Sequence, residues 1–419
     1  MRIAMVSEHA SPLAAIGGED AGGQNVHVAE LALALAERGH EVVVHTRRTD
    51  VHRPDTVSVG PGLRVEHVRA GPEQPVPKDE LLPYMGEFAR RLRASWRVDR
   101  PDVVHAHFWM SGQASLEAAG RLGLPVVETF HALGVVKARH QGTADTSPRE
   151  RIPVERAVAA RSELVVATSA EERRELLSWG IAPGRVAVVP CGVDTHRFTP
   201  AGPAAPRPRG ERVRLLSLGR LVPRKGVDTV IRALAGVPGA ELLVAGGPAP
   251  GRLDRDPEVG RLRGIAAREG VADRVRFLGA VDRSEVPALL RSCDIAVNLP
   301  WYEPFGMSTV EAMACGVPVV ASRVGGHLDT VVHGETGLLT PERDPRTAAD
   351  AIAWLASDPQ TRAEFGAAAA ERARSLYSWA EVARGSEECY RGLLGPRTVP
   401  LPGRERPEPI AAVRRGEGE

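Results

Sequence analysis

Glu303-Pro304-Phe305-Gly306-Met307-Ser308-Thr309-Val310-Glu311 decides how the rest of this chain is read. Two carboxylates stand eight positions apart, across a Pro/Gly loop that runs into a helical pattern. Asp294-Ile295-Ala296-Val297-Asn298-Leu299, just before, has the apolar character of a buried strand. Cys315-Gly316-Val317-Pro318-Val319-Val320-Ala321, just after, reads as a helix stop and a further strand. That order puts both acids at the carboxyl edge of a parallel sheet, where open α/β sheets bind ligands. The first turn of the helix offers backbone N–H groups that favour a phosphate.

Working outward, strand and helix signals alternate along the chain. An apolar run at 3–6 is followed by a Gly-rich loop, a helical pattern over 24–37 and a strand at 41–45. Short β-branched runs recur at 103–104, 126–127, 164–166 and 186–189. After a Pro-rich break the pattern restarts at 213–218 and continues at 242–244, 275–278, 295–299 and 317–320. This is βαβ logic and implies parallel sheets covered on both faces. At 419 residues two cores are the default. The reading is α/β, with two Rossmann-like doubly wound domains at 1–195 and 212–375, joined by a Pro-rich linker at 196–211. A helix is expected over 376–394, and a tail at 395–419 rich in Pro, Gly, Arg and Glu reads as disordered.

Composition narrows the function. Hydrophobic residues make up 43% and charged residues 26%, as in a soluble globular protein. A net charge of +1 gives no bulk attraction to nucleic acid or to an anionic membrane. An aromatic content of 4% also speaks against a base-stacking platform. No apolar run approaches the roughly 20 residues of a membrane span. The N-terminus is a strand followed by charge, not a signal peptide. Cys191, Cys293, Cys315 and Cys389 lie far apart without a Cys-x-x-Cys, as expected of reduced thiols in a cytoplasmic protein. Oligomeric state, including a homodimer, is left open by the sequence.

Four constellations carry chemistry. Gly17-Gly18-Glu19-Asp20-Ala21-Gly22-Gly23-Gln24-Asn25 follows the first strand and opens a helix, so backbone can approach a diphosphate closely. It is neither Gly-x-Gly-x-x-Gly nor a Walker loop, and a plain βα loop would look similar. Arg220 and Lys225, in Gly219-Arg220-Leu221-Val222-Pro223-Arg224-Lys225-Gly226, follow the first strand of the second domain. An Arg fork with a Lys point charge suits a diphosphate leaving group. His105 and His107 alternate onto one strand face, but no carboxylate or third ligand lies at usable spacing for a metal. A packed, hydrogen-bonded ring is expected at His105, while His107 borders a cleft and His131, just past a strand, reads as an active-site group. Lys78, Lys137, Arg139, His140 and Arg151 could bind an anionic acceptor, or could be separate surface charges.

Together these residues resemble the retaining glycosyltransferases of the GT-B fold, in family 4, over roughly 1–394. Glu303-x7-Glu311, Arg220 with Lys225, the Gly17-Gly18 and Gly22-Gly23 pairs, and Gly325-Gly326 carry the resemblance. Within that family the likeness runs to the inositol-phosphate N-acetylglucosaminyltransferases of mycothiol synthesis and to bacterial sucrose-phosphate synthases. The resemblance implies donor contacts from Gly22, Gly23, Arg220, Lys225, Glu303, Gly306, Met307, Ser308, Thr309 and Glu311. It implies acceptor contacts from His9, Asp20, Asn25, Lys78, Trp109 and Arg151. Trp109 and Ala132 depart from the mycothiol-type pattern, which has tyrosine and threonine there. Arg220 and Lys225 would neutralise the departing diphosphate, Glu311 hold the ribose, Glu303 the donor sugar hydroxyls, and His131 approach the reacting carbon.

The implied reaction moves a hexosyl unit, of glucose or N-acetylglucosamine type, from a nucleotide diphosphate sugar to a small polyol or sugar, phosphorylated or not. A UDP-linked donor is the family expectation. No metal is required, with at most a weak dependence on Mg2+. No carboxylate nucleophile is evident, so a front-face path is expected for retention. Rivals are a sugar-nucleotide epimerase of the same fold and a non-catalytic nucleotide-sugar-binding protein. An NAD-dependent oxidoreductase is disfavoured, because strand two ends in His45-Thr46-Arg47-Arg48 rather than in an acid.

Overall fold

A computed structural model describes residues 1–13, 22–207 and 212–395. Gly17, Gly18, Asp20 and the tail from 396 onward lie outside the described residues. The first unit holds β1 (Arg2–Val6), β2 (Glu41–Arg47), β3 (Thr56–Gly60), β4 (Leu63–Val68), β5 (Val103–His107), β6 (Val126–Thr129), β7 (Leu164–Ala167) and β8 (Val186–Val188). They form one sheet in the order β3-β4-β2-β1-β5-β6-β7-β8, parallel except for the antiparallel β3–β4 pair. Around it lie α1 (Gly23–Glu37), α2 (Met85–Val98), α3 (Trp109–Ala119), α4 (Gly134–Gln141), α5 (Arg151–Arg161) and α6 (Ala170–Ser178). Alternate strand residues serve opposite cores: Ala4, Val6 and Val104 pack with α2 and α3, while Ile3, Met5 and Val103 pack with α1.

The second unit repeats the plan with β9 (Val213–Leu218), β10 (Ala240–Ala245), β11 (Val275–Gly279), β12 (Ile295–Asn298), β13 (Val319–Ser322) and β14 (Gly337–Thr340). Their order is β11-β10-β9-β12-β13-β14, with every pair parallel. Its helices are α7 (Val227–Ala235), α8 (Pro257–Arg268), α9 (Val286–Arg291), α10 (Met307–Ala314), α11 (His327–Thr330), α12 (Pro345–Ser357) and α13 (Pro359–Leu376). Strand order reverses at β1, between β2 and β5, and again at β9, between β10 and β12. Both reversals open a crevice at the carboxyl edge of a sheet. Among the described residues no helix is long and apolar enough to cross a membrane.

Two connections tie the units together. Within its described residues 196–207 the Pro-rich stretch is packed: Phe198 is buried in the second core, and Arg291 donates to the carbonyls of Thr199 (3.0 Å) and Pro203 (2.8 Å). After α13, whose Ala369 and Ala373 belong to the second core, α14 (Trp379–Leu394) returns to the first. Trp379, Val382 and Tyr390 pack with Ile3, Met5 and Leu31, and Arg38 and His40 both reach Glu387.

Trp379 is 7% exposed and Trp354 is 49% exposed. Trp379→Ala should therefore cost about 3–5 kcal/mol and visibly lower the melting midpoint of the full chain. Trp354→Ala should stay within about 0.5 kcal/mol of the parent. Equal effects of the two substitutions in a calorimetric scan would contradict the docking of α14.

Candidate active site

Three loops of the second unit touch backbone to backbone. Gly226 (φ 68°) ends the loop after β9, and a Cβ there would run into the carbonyl of Leu299. Trp301 N–H donates to the Arg224 carbonyl at 2.8 Å, and Gly326 N–H to the Glu303 carbonyl at 2.9 Å. Segment 299–306 is thus held between the loop after β9 and the loop after β13. Gly306 (φ 97°) turns the chain into α10, where a Cβ would meet the His327 ring at 2.7 Å. His327 Nδ1 donates to the Ser322 carbonyl at 3.1 Å, so its Nε2 accepts from the Thr309 hydroxyl at 3.0 Å. Thr309 is fully buried by this network and its N–H is engaged with Gly306. Met307 and Ser308 keep the orphan N–H groups of the helix start.

The clamp brings charge together. Lys225 pairs with Glu303, and both line a cleft of roughly 310 Å³ with Gly219, Arg220, Asn298 and Ser308. Burial, opposed by Glu303, pulls the Lys225 ammonium below its ordinary pKa, with Arg224 and Arg220 adding to the shift. Burial alone would raise the Glu303 carboxyl, but Lys225, Arg224 and His327 outweigh it and hold it low. Glu311, one turn further along α10, is paired with Arg283 at 2.5 Å, yet burial keeps its carboxyl above the ordinary range. Arg283 in turn lies 4.7 Å over the Phe198 ring. The sequence reading did not single out Arg283, because its partner is 28 positions away on another element.

The first unit meets this edge at Gly23, where a Cβ would come within 3.0 Å of Met307 Sδ. A glycine there lets α1 and α10 start against each other. Asn25 is buried and pins that turn, accepting from Gly22 N–H and donating to the Ser11 carbonyl, both at 3.0 Å. Gly22, Gly23, Met307 and Ser308 therefore share one seam.

Among the residues expected to meet an acceptor, His9 Nδ1 lies 2.7 Å from Glu8 Oε1, and its ring meets Phe108 edge-on. Arg151 is buried, with all three guanidinium nitrogens engaged by Glu155, Ser147 and the Ala132 carbonyl. Trp109 is 1% exposed inside the first core, so its indole packs there instead of lining a cleft. Lys78 opens a half-buried 3-10 turn (Lys78–Glu80). Lys137 pairs with Asp145 at 2.8 Å and Arg139 with Glu175 at 3.1 Å, while Lys137 and Arg151 both donate to the Ser147 hydroxyl, at 2.9 and 3.1 Å. Asp254-Arg255-Asp256 is an Asp-x-Asp triplet, but Asp256 caps α8 through Val259 N–H and Asp254 pairs with Arg263.

His131 (φ 61°) sits just past β6, with its Nε2 3.0 Å from His107 Nδ1. His105 is a packed ring, bonded to Tyr390 (2.7 Å) and Thr129 (2.9 Å). The absence of a third ring near these histidines is corrected by the fold: His27 of α1 lies 4.9 Å from the His131 ring and 5.6 Å from that of His107, centroid to centroid. Burial lowers the pKa of His27 to about 4 and that of His107 and His131 well below the usual value, so all three rings are neutral at pH 7.

Residues 21–197 match the model described as Glycosyltransferase Family 4, and residues 203–372 the model described as Glycosyl transferases group 1. The D-inositol 3-phosphate glycosyltransferase of Acidothermus cellulolyticus is 38% identical over 413 residues, covering 94% of this chain and 91% of the relative. D-inositol 3-phosphate glycosyltransferase 2 of Catenulispora acidiphila is 36% identical, covering 93% and 94%. The chain belongs to the family 4 glycosyltransferases. Among solved structures, the sucrose-phosphate synthase of Thermosynechococcus elongatus superposes with a TM-score of 0.84 at 33% identity, covering 94% of this chain and 98% of that one. Anabaena HepE in complex with UDP-glucose, 22% identical with a TM-score of 0.69 over 94% and 100% of the two chains, shares the fold alone. The transferase thus has the GT-B architecture and is a hexosyltransferase that uses a nucleotide-sugar donor.

Because the Lys225 pKa is depressed, its cation is lost on raising pH earlier than that of a free lysine. Affinity for a nucleoside diphosphate should fall with rising pH through an inflection below 10.5, the ordinary lysine value. In Lys225→Arg the inflection should move upward, since arginine stays charged. Calorimetric titrations across that range check this, and an unchanged profile in the variant would assign the inflection elsewhere.

Proposed function

We propose that this transferase moves a glucose- or N-acetylglucosamine-type unit from a UDP-linked donor to a hydroxyl of a small polyol or sugar phosphate, with retention, in the cytoplasm. The observation that carries the reading is the convergence of Arg220, Lys225, Glu303 and the start of α10 on one cleft, against Gly23 across the seam. A departing diphosphate is the chemistry that such cations and orphan N–H groups serve best, since stabilising developing charge is the main demand of the step. Glu303 takes the donor sugar hydroxyls, Glu311 with Arg283 faces the ribose, and His131 stands beside the reacting carbon. The names of the relatives, D-inositol 3-phosphate glycosyltransferase and sucrose-phosphate synthase, both carry a small phosphorylated polyol or sugar, which supports an acceptor of that class. Lys78 and His9 are the acceptor groups the reading relies on, with Asp20. Arg151, engaged by Glu155, positions the His131–Ala132 turn.

The leaving phosphate itself takes the acceptor proton on the front face, and no metal is needed, magnesium having at most a weak effect. Tyr302 OH accepts from Gln141 Nε2 at 2.5 Å and Asp329 accepts from Ala170 N–H at 2.6 Å, contacts that hold the units closed while the donor is in place. Closure keeps water from the donor.

Purified protein mixed with UDP-, GDP- and ADP-sugars and a pool of free and phosphorylated polyols and hexoses should yield a new glycoside, with nucleoside diphosphate released in step, by mass spectrometry. Arg220→Ala should lower turnover by about 10²–10³-fold. Glu303→Gln should slow it without trapping a glycosyl-enzyme, and a covalent adduct on peptide mapping would replace the front-face path with double displacement. Interconverted donor sugars without any acceptor product would identify an epimerase instead.

A further inference from the structure

Three neutral rings from three separate elements meet where α1, β5 and the turn after β6 converge. One ring nitrogen each from His27, His107 and His131 lies within 4.8 Å of the other two. Tetrahedral zinc, with Zn–N bonds of about 2.0–2.1 Å, brings such nitrogens to about 3.3–3.4 Å, a closure within reach of small side-chain rotations. Two buried nitrogens of the group, His27 Nδ1 and His107 Nε2, have no hydrogen-bond partner. Buried polar atoms are normally satisfied, so two unpartnered ring nitrogens within one cluster call for a partner. His131 is half-buried, and Trp379 packs edge-on against His27.

We propose that His27, His107 and His131 form a binding site for a divalent transition-metal ion of zinc type, and that the bound ion blocks glycosyl transfer. Three imidazoles suit zinc, which takes nitrogen ligands, and not magnesium or calcium, which take oxygen. The block rests on the role proposed for His131. An ion on that ring withdraws it from the donor sugar and sets a dication beside a carbon that becomes positively charged in the transition state. The ion is therefore an inhibitor of the transfer, not its cofactor.

The test starts from metal-stripped full-length protein dialysed against zinc. The wild type should retain a single zinc per chain, and cobalt in its place should give the visible absorption of a tetrahedral nitrogen site. His27→Gln should lose both signals while keeping the parent's melting curve and metal-free transfer rate, since His27 touches no substrate in this account. Zinc should abolish transfer by the wild type and leave His27→Gln active. No zinc retained by the wild type, no tetrahedral cobalt band, or equal retention by His27→Gln would overturn the site. Zinc held by the wild type with an unchanged transfer rate would overturn the block. Absence of transfer in the metal-free wild type would instead count against the transferase reading, and the dialysis result would stand apart from it.

Discussion

Everything at the donor edge depends on segment 299–306 being held from both sides by glycines. Gly226 lets the loop after β9 lie on the Leu299 carbonyl, and Gly325 and Gly326 let the loop after β13 lie on Glu303 and Phe305. No side chain fits at those contacts, so the three loops stack with their backbones touching. That stacking fixes where Glu303 projects, where Lys225 can reach it, and where α10 begins. A single methyl group at Gly226 or Gly325 would part the loops and separate the charges they align.

The same compactness buries ions, which is costly unless they are paired. Lys225 has Glu303, Glu311 has Arg283, and Arg151 has Glu155. The pairs keep charged groups in the cleft proposed to take a diphosphate and several hydroxyls. They also mean that removing one partner leaves the other stranded, so Arg283 and Glu155 matter to the site through the Glu311 carboxylate and the Arg151 guanidinium that they hold. The seam between the units follows the same logic of close approach: Gly23 against Met307 brings the first helix start onto the second.

The α/β architecture was legible because parallel strands buried on both faces show as apolar runs, and such runs alternate here with helical patterns. The β3–β4 pair escaped notice because β3 is a mostly exposed edge strand and β4 alternates buried and half-exposed residues, leaving no continuous apolar run. Arg220, Lys225, Glu303 and the α10 start were legible because each follows a strand directly, so sequence position alone places it at the carboxyl edge. His27 and Arg283 were not, since their partners come from other elements and only the fold brings them near. Trp109 and Arg151 show the converse. The resemblance implied acceptor contacts for both, while in the fold Trp109 packs inside the first core and the Arg151 guanidinium is engaged by Glu155, Ser147 and the Ala132 carbonyl. Asn25, too, is engaged in shaping its own loop.

The central claim is that the donor's diphosphate lies in the seam, between the switch points of the two sheets. A crystal structure of the full chain with intact UDP-glucose tests it most directly. The account predicts phosphate oxygens within hydrogen-bonding distance of Arg220, Lys225 and the N–H groups of Met307 or Ser308, with Gly23 backbone closing the other side. A nucleotide bound outside the seam, for instance at the amino ends of the strands beside Arg2 and Arg64, would contradict it.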